Sequence, residues 1–317
     1  MTPFIKEEDV RRILNEKDSL RLARETFELM AKKKAFMTPK TYLVLPGSND
    51  FRAMPAFLET GPTGKGACGI KWIGVFPQNH LKNEPTVLGT ILLNSPETGR
   101  LLAVLEANTI TAMRTAATAA LAASLMANPK PRVLSIVGAG IQASYQLKAH
   151  ADLFGFEEIR VWGYQPGEAD RFCTQHAIYK NLKAFTDLQV CVKSADIIIT
   201  CTSSRKPLVL ADWIKAGAHI NAIGADAKGK EELEAKILLG ARIAVDEWEQ
   251  ASHSGEINVP ISEGLLNRKN IYAELSEIVL GSKPGRLSPD ETTVFDSTGL
   301  AVLDVYFANF VYERYRA

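Results

Sequence analysis

The chain has 317 residues, 46% of them hydrophobic and 23% charged, which is an ordinary composition for a soluble globular protein with room for two domains. Its 37 basic and 36 acidic residues provide no cationic field of the kind that binds nucleic acid or an anionic membrane. The sequence shows no apolar run of about 18 residues, no signal-peptide core and no metal-ligand spacing, so we expect a cytoplasmic protein without a metal site.

The first third of the sequence predicts helices followed by a mostly antiparallel sheet. Apolar residues recur at helical spacing from Glu7 to Lys34, which indicates one or two amphipathic helices. A long alanine- and threonine-rich helix is expected from Ile110 to Ala127. Strand patterns separated by glycine, proline and asparagine turns lie between these helices, at Tyr42–Leu45, Arg52–Leu58, Cys68–Val75 and Val87–Asn94.

A glycine-rich turn marks the start of a second domain. The strand-like run Arg132–Val137 leads directly into G-x-G-x-x-A, with its glycines at Gly138 and Gly140. The first glycine permits a tight turn, and the second lets the backbone approach a pyrophosphate at the N-terminus of the following helix. The motif predicts a dinucleotide-binding βαβ unit. Its late position implies that another domain precedes it.

Short apolar runs then alternate with helical patterns. The expected helices are Ala143–Phe154, Glu168–Lys180, Leu210–Ala216 and Glu231–Leu239. The expected strands are Ile159–Val161, Leu188–Val192, Ile197–Cys201, His219–Ile223 and Ile243–Val245. This alternation predicts an α/β fold with a Rossmann-type doubly wound parallel sheet. After Thr293–Asp296, the apolar helix Leu300–Tyr312 is expected to return to the first domain.

Three cations stand in unusually apolar surroundings. Arg52 and Lys71 interrupt strand-like runs, and Arg114 lies within a nearly uncharged helix. Because an unpaired buried cation is costly, each is either an ion-pair partner or faces a ligand. Together they favour an anion site for a substrate carboxylate, which Arg52 could hold bidentately. A desolvated Lys71 beside other cations could exchange protons near neutral pH.

One acid falls where chemistry is expected in an open α/β sheet. Asp226 follows the fifth strand and Gly224, and ligands bind at the carboxyl ends of such strands. The alternatives are that Asp226 caps the next helix or pairs with Lys228 or Lys230.

Beyond these features, the chain resembles the ornithine cyclodeaminase/mu-crystallin family, and within it the members that act as alanine dehydrogenases. The resemblance covers nearly the whole chain, through the segments RAMPAF, GIKW, PTVLGTILLNSPETG, MRTAATAA, VGAGIQA, TCTSSRKP, HINAIGADAKGKEEL, GEIN and VFDSTGLAVLDV. It implies a homodimer in which an α+β substrate-binding and dimerisation domain (1–118 and 299–317) accompanies a dinucleotide-binding domain (119–298).

The resemblance also implies roles for individual positions. Arg52 and Lys71 match residues that bind the substrate carboxylate, Lys71 matches the proton-transfer group, and Asp226 matches the catalytic acid/base. Together with the glycine motif, it gives an expected set of cofactor contacts: Thr86, Arg114, Gly138, Gly140, Ile141, Gln142, Thr200, Thr202, Gly224, Lys230 and Ser297.

The cofactor is expected to be NAD(H) or NADP(H). Many NAD-dependent relatives carry an Asp at the end of the second strand, where it binds the ribose 2′-hydroxyl. Here Val161–Gln165 contains no acid; Glu168 comes later, and Arg171 is the nearest cation. The sequence therefore leaves both nucleotides open.

The expected reaction interconverts a small 2-oxo or 2-imino acid and an L-amino acid, as in alanine dehydrogenase. Iminosuccinate would need a further cation, which His80 or Lys82 could supply. Cyclodeamination of ornithine would need an acid for the distal ammonium, and the first carboxylate after RAMPAFL is Glu59. A crystallin-like protein that binds NADPH without turnover is a third possibility, but it would not need both Lys71 and Asp226.

Overall fold

The computed structural model describes residues 2–82 and 84–317, without the side chains of Ser48 and His80. By its internal contacts the chain divides into two compact units. The first contains the residues up to Arg114 together with Leu300–Ala317, and the second is Thr115–Gly299.

The first unit contains a mostly antiparallel sheet and two N-terminal helices. Its elements before the division are β1 (Phe4–Ile5), α1 (Glu7–Ile13), α2 (Glu16–Ala31), β2 (Ala35–Met37), β3 (Thr41–Leu45), β4 (Asn49–Leu58), β5 (Ala67–Val75), β6 (Val87–Asn94), β7 (Leu101–Glu106) and the start of α3 (Asn108–Met126). The strand order is β1-β7-β6-β5-β4-β2, and β3 also pairs with β4. Only the β1–β7 pair is parallel among the described residues.

Among the described residues the second unit contains ten strands, eight of which form its main sheet. Its elements are β8 (Val133–Val137), α4 (Ile141–Leu153), β9 (Glu158–Trp162), α5 (Glu168–Gln175), β10 (Leu182–Phe185), α6 (Leu188–Val192), β11 (Ile197–Thr200), β12 (Arg205–Val209), β13 (His219–Ala222), β14 (Glu231–Leu233), α7 (Ala235–Gly240), β15 (Arg242–Val245), α8 (Trp248–Ser254), α9 (Asn258–Ser262), β16 (Ile271–Glu274), α10 (Leu275–Val279) and β17 (Thr293–Asp296). The main sheet has the order β10-β9-β8-β11-β13-β17-β15-β16, while β12 and β14 pair separately.

The main sheet of the second unit is parallel and covered on both faces. Every neighbouring pair of its described strands is parallel. Successive residues of β11 belong to different apolar layers: Ile197 and Ile199 pack with α4 and α5, and Ile198 packs with α6 and α7. A strand buried on both faces explains why this run is continuously apolar rather than alternating.

The C-terminal helix α11 (Ala301–Arg316) belongs to the first unit and packs against β4 and β5. Its residues 301–312 are all buried. A helix that is buried on every side has no polar face, which accounts for an apolar run that only Asp304 and Asn309 interrupt within residues 301–312.

Three expected elements of the second unit were wrong. Leu188–Val192 forms helix α6 rather than a strand, and the third strand is instead Leu182–Phe185. The run is too short for its periodicity to separate strand from helix. Asp187 decides between them, because its side chain caps the helix by accepting from the Val190 amide at 3.2 Å.

The other two expected helices are either shorter than predicted or divided into two elements. Within Leu210–Ala216 only a 3-10 turn forms, at Ala211–Trp213. The expected helix Glu231–Leu239 divides into strand β14 and helix α7. Strand pairing with β12 and two hydrogen bonds from backbone amides of β14 to the Glu256 carboxylate hold its first residues extended. In the part of the chain that the structure describes, no helix combines the length and apolarity that a membrane crossing requires.

Candidate active site

In the first unit, two of the expected cations share one buried carboxylate. Lys71 pairs across the sheet with Met54 on the face that α11 covers. Its Nζ lies 2.6 Å from Asp304 Oδ2, and Arg114 Nε lies 2.9 Å from Asp304 Oδ1. The Thr111 hydroxyl is 3.5 Å from the same ammonium. Lys71, Arg114 and Asp304 therefore form a compact charged cluster inside an apolar core.

Burial controls the ionisation of this cluster. Removal from water lowers the pKa of Lys71 to about 7; Asp304 opposes that shift, while the charges of Arg114 and Lys40 add to it. Burial would raise the pKa of Asp304, but Arg114 and Lys71 hold it below its ordinary value. Lys71 can therefore gain or lose a proton near neutral pH beside a carboxylate that stays ionised.

Arg52 is buried on the same face of the sheet but holds a different carboxylate. Its Nε and Nη2 lie 2.7 and 3.3 Å from the two carboxylate oxygens of Asp50, and its guanidinium stacks 5.3 Å from the ring centre of Tyr42. Arg52 pairs with Ile73 across the sheet, two residue pairs beyond the Met54–Lys71 pair and therefore on the same face. Sequence reasoning found this arginine but not Asp50.

Two expected positions of the first unit lie outside these ion pairs. Thr86 immediately precedes β6, and its carbonyl accepts a hydrogen bond from the Phe76 amide at 2.8 Å. Lys82 is exposed in the 3-10 segment Pro77–Lys82. The side chain of His80 lies outside the described residues.

In the second unit, the glycine turn has the form that a pyrophosphate needs. Gly138 has φ +117°, and its amide donates to the Trp162 carbonyl at 2.8 Å. A side-chain carbon built on Gly138 would lie 3.0 Å from the Cys201 carbonyl oxygen, so glycine is required there. A carbon built on Gly140 meets no described atom within 4 Å, and helix α4 begins at the exposed Ile141 and half-buried Gln142. This open helix N-terminus fits an anionic diphosphate.

The loops after β11 and β13 are joined by a carboxylate that sequence reasoning missed. Glu232 accepts from the Thr202 amide at 2.6 Å and hydroxyl at 2.7 Å, and from the Gly224 amide at 2.9 Å. Thr200 is the buried last residue of β11. The side chain of Glu232 thus ties together two positions expected to contact the cofactor. The sequence feature that could have identified Glu232 is its place directly before the apolar Leu233 in the segment KEEL.

Glu232 belongs to a buried acidic pair. Burial raises the pKa of Glu232, while hydroxyl and amide donors oppose that shift. Burial, and then the charge of Glu232, raise the pKa of Glu256 well above its ordinary value. Glu256 accepts from the amides of Glu232 and Leu233 at 2.8 and 2.6 Å. The pair therefore favours a state in which Glu256 keeps its proton.

The expected acid/base and an expected cofactor contact are ion-pair partners. Asp226 follows β13, and its Oδ1 lies 2.7 Å from Lys230 Nζ. This is one of the pairings that the sequence left open. The carboxylate of Asp226 is about one-third exposed and Lys230 less so, so the acid can still be reached by a ligand.

Ser297 follows β17 in a tightly held loop. Its amide donates to the Ala222 carbonyl at 3.0 Å, which joins the ends of β17 and β13. Asp246 then accepts from the amides of Thr298 and Gly299 at 2.6 and 2.8 Å. The expected cofactor contacts of the second unit thus gather at the carboxyl ends of β8, β11, β13 and β17.

Comparisons with known proteins agree with this geometry. The model of the ornithine cyclodeaminase/mu-crystallin family matches residues 2–317. Over 316 residues the chain is 40% identical to the alanine dehydrogenase of Archaeoglobus fulgidus, and the alignment covers 99% of this chain and 95% of that protein.

Solved structures give the same result. An archaeal alanine dehydrogenase dimer with bound NAD matches with a TM-score of 0.92 at 39% identity, over 98% of this chain and 95% of that one. The Thermococcus litoralis Delta(1)-pyrroline-2-carboxylate reductase, in complex with NADH and L-proline, matches with a TM-score of 0.94 at 31% identity, over 98% and 96% of the two chains.

These findings confirm the doubly wound α/β fold, the NAD(P)-dependent oxidoreductase class acting on amino or imino acids, and the nicotinamide cofactor that the sequence predicted. They also confirm the resemblance drawn from the sequence segments. The chain belongs to the ornithine cyclodeaminase/mu-crystallin family.

Proposed function

We propose that this protein reduces the imine of a small 2-oxo acid to an L-amino acid, with L-alanine, formed from pyruvate and ammonia, as the leading product. The reverse reaction is the oxidative deamination of alanine. A bound nicotinamide supplies or accepts the hydride at C2. The unit with Lys71 holds the substrate and forms the dimer contact, and the unit with Gly138 holds the nucleotide.

The observation that carries the proposal is the buried ammonium of Lys71. Asp304, which is itself paired with Arg114, holds the ammonium in position, and the lowered pKa of Lys71 allows proton exchange at Nζ near neutrality. We assign Lys71 the transfer of a proton to or from the substrate and Asp226 the second acid/base role. Both roles suit imine chemistry, in which nitrogen and water must gain and lose protons.

Two buried cations on one face of the sheet support a carboxylate substrate. Arg52 and Lys71 are both buried on the face that α11 covers. Guanidinium and ammonium groups are the usual partners of a carboxylate, and we assign the binding of the substrate carboxylate to Arg52 and Lys71.

A small substrate fits better than ornithine. Glu59, the candidate for holding a distal ammonium, is exposed and lies 3.9 Å from the ammonium of Lys34. A carboxylate that already pairs with a surface lysine is poorly suited to bind the distal amine of ornithine. This favours alanine over a diamino acid.

A homodimer is supported by the outer face of the first unit's sheet. The face opposite α11 carries Trp72, Leu88 and Leu92, which are 40, 47 and 38% exposed on neighbouring strands β5 and β6. Phe51 stacks on Trp72 with ring centres 5.1 Å apart. A contiguous apolar face of this kind suits burial against a second copy. The four free cysteines are in keeping with the reducing cytoplasm that we propose as its location.

The deciding experiment follows the absorbance of NADH and NADPH with a panel of imine sources. Pyruvate plus ammonia should oxidise the nucleotide faster than oxaloacetate plus ammonia or a cyclic ketimine. Oxidation with none of them, although the nucleotide binds, would overturn the proposal in favour of a binding protein. Conversion of ornithine to proline without net change in nucleotide would overturn it in favour of a cyclodeaminase.

A further inference from the structure

The end of strand β9 lacks the acid that NAD-binding βαβ units use to hold the adenosine ribose. The strand ends at Trp162, and the next residue is Gly163. Trp162 also accepts the amide of Gly138 at 2.8 Å, so this strand end lies directly beside the glycine turn. In the βαβ architecture, an Asp or Glu at this point bonds the ribose hydroxyls.

The side chain of Glu168 occupies the space that a side chain at position 163 would fill. A side-chain carbon built on Gly163 would lie 2.5 Å from Cβ of Glu168 and 3.1 Å from its Oε2. Glu168 is the first residue of α5, and only a glycine at position 163 leaves room for it.

The same carboxylate is oriented by the turn that precedes α5. Its Oε2 accepts from the Gln165 amide at 3.0 Å, and the Glu168 amide donates to the Gln165 carbonyl at 3.2 Å. The first bond orients the carboxylate through Oε2, and the second closes the backbone turn that precedes α5. Oε1 is left for a second donor, and Glu168 is only half-buried, so a ligand can reach it.

We propose that Glu168 takes the place of the missing strand-end acid, accepts the 2′-hydroxyl of the adenosine ribose, and makes this protein select NAD(H) over NADP(H). A 2′-phosphate would bring two negative charges against a carboxylate held by its own turn. Arg171, the nearest cation along the chain, has its Nη1 3.5 Å from a side-chain carbon built on Gly167. This inference rests on the nicotinamide-dependent activity proposed above and narrows its cofactor.

The test is equilibrium binding of NADH and NADPH, followed by nucleotide fluorescence, in the wild type and in Glu168→Gln. The glutamine keeps an acceptor for the Gln165 amide and removes only the charge. Wild type should bind NADH at least about tenfold more tightly than NADPH, and Glu168→Gln should lose most of that ratio. Asp170→Asn, an exposed acid on the same helix, is the matched control and should change the ratio by less than about twofold.

Two results would overturn the inference: equal binding of the two nucleotides by the wild type, or an unchanged ratio in a Glu168→Gln protein that melts at the wild-type temperature. If that variant is unstable, the wild-type ratio still decides. A protein that prefers NADH but turns over no imine would instead contradict the proposed activity and leave the role of Glu168 supported.

Discussion

Lys71 and Arg114 share a single carboxylate, which makes Lys71 the most informative side chain to replace. We expect Lys71→Ala to lower kcat by at least about a hundredfold, because the proton-transfer group is gone. Binding of NADH should persist. Asp304 would remain paired with Arg114 at 2.9 Å, so the substitution does not leave a buried carboxylate without a partner. Steady-state kinetics and nucleotide fluorescence measure the two effects.

Lys34→Ala, which removes an exposed lysine of the same unit, is the matched control and should leave kcat unchanged. Near-normal turnover in Lys71→Ala would exclude the assigned role.

The pKa of Lys71 also predicts a pH dependence. Because burial lowers that pKa to about 7, imine reduction should slow as the pH rises through this value and Nζ loses its proton. The oxidative direction should show the opposite trend, since it needs the neutral amine as a base. Rate profiles measured in both directions test this, and a pair of profiles with the same slope would contradict it.

The buried pair of Glu232 and Glu256 predicts how the free energy of unfolding changes with pH. The folded protein raises the pKa of Glu256, so the unfolded chain releases a proton that the folded one retains. Stability from this group is therefore present at acidic pH and lost as the pH rises. Glu256→Gln cannot release that proton, and its free energy of unfolding should exceed that of the wild type by at least about 1 kcal/mol at alkaline pH.

Urea unfolding at acidic and alkaline pH measures the difference for Glu256→Gln. Glu249→Gln, an exposed acid on α8, is the control and should follow the wild type at both. A gap that shrinks with rising pH would show that Glu256 is ionised in the folded state.

What the sequence reveals at the residue scale depends on context within the chain. Arg52, Lys71 and Arg114 could be found because a cation in an apolar run is unusual wherever it occurs. Asp304 is likewise a charged residue in an apolar segment, LAVLDV, although it is an acid. It lies 190 residues from Arg114 along the chain. Spacing cannot connect two such residues, and only the packing of α11 onto the sheet brings them together.

At the scale of elements, long periodic segments could be predicted and short ones could not. Helix α3 and strands β4, β5 and β6 lie close to their expected positions because each extends over eight residues or more. Leu188–Val192 was misassigned because five apolar-rich residues fit either period. The local capping residue, not the hydrophobic pattern, determines that this segment is helical.

This explanation can be tested by removing the cap of α6. Asp187→Ala should lower the free energy of unfolding by about 1 kcal/mol, since the Val190 amide loses its acceptor. Asp187→Asn keeps an acceptor oxygen and should lose much less. Chemical denaturation of both variants measures this, and an equal loss would show that charge rather than capping stabilises the helix.

At the scale of the whole molecule, the apolar outer face of the first sheet predicts the oligomeric state. Trp72→Asp places a charge in the centre of the proposed dimer contact and should weaken association at least about a hundredfold. Sedimentation velocity should then show monomers where the wild type forms dimers. Ile178→Asp, an equally drastic change at an exposed site of the second unit, should remain dimeric. A monomeric wild type would contradict the proposed dimer.

The position of Asp304 in the chain has a consequence for the order of synthesis. The second unit is one continuous segment, Thr115–Gly299, and all of it leaves the ribosome before α11 does. Until then Lys71 and Arg114 have been made but the acid that pairs with them has not, and the sheet that carries Lys71 lacks the helix that buries it. The second unit can therefore fold while Lys71, the proposed proton-transfer group, still lacks both its carboxylate partner and the helix that covers it, so on our proposal the site is assembled only when α11 packs onto the sheet.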